Sequence, residues 1–129
     1  MQARPFVTVR SLYRLRETLA RRPAVLLYFG SRDCNVCKVL KPKVGELLAS
    51  NFSRMEAFYV DCAASPHIAA AHGVFSVPTV LVYFERREWL RKGRSLSLAE
   101  LAEAIARPYA LLFRDRPATD EARAPEQIP

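Results

Sequence analysis

Apolar residues in this chain fall into two alternating rhythms. Ala24-Val25-Leu26-Leu27-Tyr28-Phe29 is an unbroken apolar run, the pattern of a strand covered on both faces and therefore central and parallel to a neighbour. Ala57 to Asp61 and Thr79 to Phe84 read as further buried strands. Phe6-Val7-Thr8-Val9 reads as a short edge strand after Pro5, and Glu88 to Lys92 as a last strand, joined to the one before it through Glu85-Arg86-Arg87. Between these runs the apolar spacing becomes helical. Leu12, Leu15 and Leu19 follow a Ser11 cap and stop at Arg21-Arg22-Pro23. Val36, Cys37, Leu40, Val44, Leu47 and Leu48 predict a helix from Cys34 to Ser50, kinked at Pro42. Ser65 supplies a cap and Pro66 the first residue of a short helix that Gly73 ends in a left-handed conformation. Ser97-Leu98-Ala99-Glu100 is a capping box opening a helix with Leu98, Leu101 and Ile105 on one side. Pro108 is expected to break or restart that helix, and Tyr109 to Phe113 to add one more apolar turn.

The resulting order, β-α-β-α-β-α-β-β-α, predicts an α/β protein. Its early alternation requires parallel crossovers and its last two strands form a hairpin. A central mixed five-stranded sheet flanked by helices on both faces satisfies both. From Arg114 onward the sequence is polar and punctuated by Pro117, Pro125 and Pro129. Residues 1–113 therefore read as one domain and 114–129 as a disordered tail.

Composition narrows the function classes. The net charge is +7, but the cations are spread along the chain without interleaved aromatics. Solvated basic faces, and no nucleic-acid partner, are the expectation. No apolar stretch approaches the roughly 20 residues of a membrane span. Met1-Gln2-Ala3-Arg4-Pro5 has no apolar core of a secretory signal, although its arginine-rich start resembles a mitochondrial transit peptide. Three cysteines are too few for a disulfide-stapled secreted scaffold. A cytoplasmic monomer is expected.

The chemistry concentrates in Cys34-Asn35-Val36-Cys37, at the junction of the apolar strand and the following helix. A thiol at a helix N-terminus meets unpaired N–H groups and the positive end of the helix dipole, which favour the thiolate. The second cysteine, one turn on, is within reach to close a disulfide. The alternative is a zinc site in which Cys62, His67 or His72 joins the pair. The absence of a second close pair argues against metal, and the two histidines, five apart, do not share a helix face well. Cys62 is expected to be a semi-buried residue, with a regulatory thiol as the other option.

Over residues 6 to 107 the chain resembles the thioredoxin family. The resemblance is carried by CxxC opening the second helix, Lys38 after it, Pro42 five residues past the second cysteine, Asp61 at a strand end, Gly73-Val74-Phe75-Ser76-Val77-Pro78-Thr79, and Gly93. It implies a thioredoxin-like three-layer sandwich and a cis Val77–Pro78 bond. It also implies protein-disulfide exchange through Cys34 as nucleophile and Cys37 as resolving thiol, with Asn35, Val36, Phe75, Val77, Pro78 and Gly93 on the substrate side. No cofactor beyond the redox-active Cys34–Cys37 disulfide is implied. The partners would be protein disulfides, with a thioredoxin reductase or glutathione as electron donor.

The chain also departs from the family pattern. Tyr28 stands where the family carries a buried aspartate, and Ala57 where it carries that aspartate's lysine partner. Asp33 replaces the usual tryptophan, and Asn35-Val36 the usual Gly-Pro. Losing the buried carboxylate is expected to slow the step in which Cys37 sheds its proton. The departures keep a second class open: a binding or chaperone module, or a redox sensor, using Val36, Phe75 and Val77 with non-essential cysteines. Tyr13, Trp89 and Tyr109 would extend such a partner surface or serve as core packing.

Overall fold

A computed structural model describes residues 6–114. Five strands, β1 (Val7–Thr8), β2 (Ala24–Gly30), β3 (Glu56–Asp61), β4 (Thr79–Phe84) and β5 (Arg87–Lys92), form one sheet in the order β1-β3-β2-β4-β5. β1, β3 and β2 run parallel, and β4 and β5 are antiparallel to their neighbours. β2 is therefore central, and every one of its seven residues is buried. That burial accounts for its unalternating apolar run.

Among the described residues four helices cover the sheet: α1 (Leu12–Arg21), α2 (Asn35–Asn51), α3 (Pro66–Ala71) and α4 (Leu98–Phe113). Alternate β2 residues serve two separate cores. Leu26 and Tyr28 face Val44 and Leu48 of α2 and Leu101 and Ile105 of α4. Val25, Leu27 and Phe29 face Leu15 of α1 and Ile68 of α3. This is the expected three-layer sandwich.

The local signals match the elements with informative exceptions. Ser11 and Ser97 cap as expected, their side chains accepting from Arg14 N–H and Glu100 N–H. Ser65 makes no side-chain cap, although Pro66 opens α3 and Gly73 ends it at φ +67°. The β4–β5 turn is built from Glu85 and Arg86, both at positive φ (51° and 73°), the geometry of a two-residue hairpin turn without its usual glycine or asparagine.

Pro108 does not interrupt α4, contrary to the expected break. A proline there leaves the carbonyl of Ala104, four residues earlier, without its helical donor. The Trp89 indole N–H on β5 donates to that carbonyl at 3.1 Å. The helix continues because a neighbouring strand supplies the missing hydrogen bond. Residues 1–5 lie outside the described residues, as does the expected 114–129 tail apart from Arg114, which caps α4.

Candidate active site

β2 ends at Gly30, and the loop that follows delivers Cys34 as the N-cap of α2. Its sulfur accepts the backbone N–H of Cys37 at 3.2 Å. A cap of this kind is usually an oxygen; here sulfur takes the role, and the same N–H favours it as a thiolate. The Cys34 and Cys37 α-carbons are 5.2 Å apart and the two sulfurs are joined as a disulfide. The two cysteines are unequally placed. Cys34 is half-buried at the helix end, whereas Cys37 is 3% exposed and belongs to the core beneath α2. A more accessible sulfur at the helix end is thus joined to one buried in the core.

Two depressions flank the pair. Ser31, Cys62, Phe75 and Val77 line one, bringing the segment before Pro78 alongside the loop that carries Cys34. Phe75 is 89% exposed there, and the Val77–Pro78 peptide is cis. Asn35 and Val36 line the other depression, facing Arg94, Leu96 and Leu98. Gly93, next to that groove, is not crowded: a Cβ built on it would meet nothing within 4 Å.

Cys62 follows β3, half-buried, its N–H donating to the Gly30 carbonyl. Burial first, and then the Asp61 charge, push its thiol above the ordinary value, so it is less reactive than a free cysteine. Among the described residues no three His, Cys, Asp or Glu side chains converge. His72 is bonded through Nδ1 to the Ile68 carbonyl and packs near Phe29. The three aromatics suggested as a partner surface are scattered. Tyr13 is exposed on α1, Trp89 bonds to α4, and Tyr109 packs on Phe52 and accepts the Arg54 N–H.

Behind Cys37 lies an assembly of which the family pattern marks only Tyr28. Tyr28 is fully buried, and its hydroxyl donates to the Cys37 carbonyl at 3.4 Å. Burial, and secondarily Tyr59, hold its phenol far above the ordinary value, so a neutral donor stands where the family pattern has a carboxylate. Tyr59 stands beside Tyr28 in register on β3, ring centroids 6.3 Å apart. Gly30 closes the space between them. A Cβ there would lie 3.2 Å from Tyr59 Cε1, 3.3 Å from Cys37 Sγ and 3.3 Å from Tyr28 Cε1. Lys41 completes the group, with Nζ 3.9 Å from the centre of the Tyr59 ring and 5.6 Å from that of Phe6. One signal was legible beforehand: Lys41 is four residues after Cys37, hence on the same helix face.

This fold and this dithiol define a class, and comparison with known proteins gives the same one. The thioredoxin family model matches residues 7–107. A thioredoxin-like protein YdfQ of Bacillus subtilis is 22% identical over 101 residues, covering 78% of this chain and 89% of its own. A thioredoxin of Buchnera aphidicola is 24% identical over 90 residues, covering 70% and 83%. In structure, the chain is similar to oxidised mitochondrial thioredoxin 3 of Saccharomyces cerevisiae, with TM-score 0.71 and 19% identity over 78% of this chain and 93% of that one. The chain belongs to the thioredoxin family. With its CxxC pair at disulfide distance, it is a thiol–disulfide oxidoreductase acting on protein disulfides.

Proposed function

We propose that the protein works as a reductant of client-protein disulfides in the cytoplasm, as a monomer, with Cys34 as nucleophile and Cys37 as resolving thiol. The observation that carries this reading is the asymmetry of the pair: Cys34 caps α2 at its accessible end, and Cys37 is buried one turn behind it. No helix among the described residues is long and apolar enough to cross a membrane.

In the forward step the Cys34 thiolate attacks one sulfur of the client disulfide and expels the other. A mixed disulfide forms, which Cys37 then displaces. The client chain would lie extended beside Val77 and Pro78, with Phe75 on one side and Asn35, Val36 and Gly93 on the other. Backbone groups of Val77 would pair with it in the manner of an added strand. No cofactor beyond the two thiols is needed, and a thioredoxin reductase or glutathione would return the electrons. Without a carboxylate behind Cys37, resolution should be slower than in a thioredoxin that has one. Residues 1–113 would form the whole catalytic unit.

Covalent trapping tests the roles. Cys37→Ser protein should capture clients as mixed disulfides from a reducing extract, and Cys34→Ser should capture none; equal capture by both would contradict the assignment. The direction is read from the potential of the Cys34–Cys37 couple in defined thiol buffers. A value near about −270 mV supports a reductant, and one well above about −200 mV makes the protein an oxidant or sensor.

A further inference from the structure

Lys41 is half-buried on α2 with its ammonium against two aromatic faces, Tyr59 and Phe6. No carboxylate pairs with it among the described residues, and burial lowers its basicity. A cation that is partly desolvated and held only by aromatic rings lacks most of the stabilisation an ion pair or bulk water would give it. Its position shows what it can act on. It lies one helical turn beyond Cys37 on the same helix face. The Tyr59 ring beneath it and the Cys37 sulfur both border the Cβ-less side of Gly30, at 3.2 Å and 3.3 Å from where a Cβ would stand.

We propose that Lys41 is a positioning residue for the resolving step, its ammonium serving across the Tyr59 ring as the counter-charge for the thiolate that forms on Cys37. This rests on the reading of Cys37 as the resolving thiol. In the step concerned, Cys37 Sγ gives its proton to solvent. The thiolate's electron pair then forms the bond to Cys34 Sγ, and the bond from Cys34 Sγ to the client sulfur breaks. The client sulfur leaves with that pair and takes up a proton; the client is reduced and the Cys34–Cys37 pair oxidised. Negative charge appears at a buried sulfur only in this step. A nearby cation lowers its cost there.

The other titratable groups around this pocket do not duplicate the effect. Tyr28 on β2 and Tyr59 on β3 are both held neutral, primarily by burial. Asp61, at the end of β3, accepts the N–H groups of Ala63 and Ala64. It raises Tyr59 and Cys62, whereas Arg32 in the β2–α2 loop lowers Tyr59.

The probe is Ellman's disulfide mixed with reduced protein in a stopped-flow instrument. The first thionitrobenzoate released reports Cys34 attack and the second reports displacement by Cys37. Lys41→Met should slow the second release about tenfold at neutral pH and move its acid limb up by about one pH unit, the low end of the effect of an opposite charge nearby. The first release should change little, and Lys41→Arg should restore the second. An unmoved pH profile in folded Lys41→Met protein overturns the proposal, as does Lys41→Arg behaving like Met. Should the Met variant unfold, Lys41→Gln is read by the same criteria. A wild-type protein giving no first release would instead overturn the exchange reading itself.

Discussion

The Trp89 indole on β5 donates to the backbone carbonyl of Ala104 on α4 at 3.1 Å, in place of the N–H that Pro108 lacks. The tryptophan also stands edge-on to Phe84, ring centroids 6.4 Å apart, so a half-exposed side chain ties the sheet edge to the proline-bearing helix. Trp89→Phe should lower stability by about 1 kcal/mol, the usual net value of a hydrogen bond. Pro108→Ala restores the helical donor and should stabilise the protein. In that background Trp89→Phe should cost measurably less, giving a coupling of about 0.5–1 kcal/mol between the two sites. Urea midpoints of the four proteins decide it, and strictly additive values would refute the compensation.

Gly30 is required by its surroundings and not by its backbone angles. A Cβ there would meet two ring carbons and the Cys37 sulfur, all within 3.3 Å. Tyr28 is fully buried and Cys37 nearly so, which leaves them little room to yield. Gly30→Ala should therefore cost about 1–3 kcal/mol as an overpacking substitution. It should also disturb Cys37 displacement more than Cys34 attack. Urea unfolding with the two-step thiol assay would show this, and a variant as stable as the parent would mean the two tyrosines move freely.

Arg91 on β5 holds the carbonyls of His72 and Gly73 at 2.8 and 3.2 Å and both carboxylate oxygens of Glu88 at 2.9 Å. It thereby anchors the end of α3 next to the Val74–Val77 segment. The hydrogen bond from Arg91 is the main reason the Glu88 carboxyl lies below its ordinary value. A carboxyl lowered on folding adds stability above its unfolded pKa, and that stability is lost as pH falls through the folded value. Arg91→Met should therefore destabilise the protein more at neutral pH than at about pH 2, where only the carbonyl contacts are lost. Both groups are more than a third exposed, so the difference should be small. Equal losses at the two pH values would show that Glu88 contributes nothing.

Much of this protein is determined by local sequence. The six-residue apolar run of β2, the serine caps of α1 and α4, and the helical spacing after Cys34 each act within a few residues, and the element order follows from them. CxxC and the Val77-Pro78-Thr79 segment likewise mark the reaction class, because a thiol at a helix start behaves in a defined way wherever it occurs. The hairpin joint at Glu85-Arg86-Arg87 is legible in the sequence, but its two-residue form is not, because neither Glu nor Arg favours positive φ; the pairing of β4 with β5 holds Glu85 and Arg86 there and takes Arg87 into the strand. Pro108 was misread for a related reason. Whether a proline ends a helix depends on who takes up the freed carbonyl, and here that is an indole fifteen residues away in sequence. The surroundings of Cys37 were decided the same way. Tyr28, Tyr59, Gly30 and Lys41 come from two strands and a helix, and none of them carries a motif. Burial and electrostatics act through space, so only the folded chain sets an ammonium over an aromatic ring in the pocket that also holds the buried Cys37 sulfur.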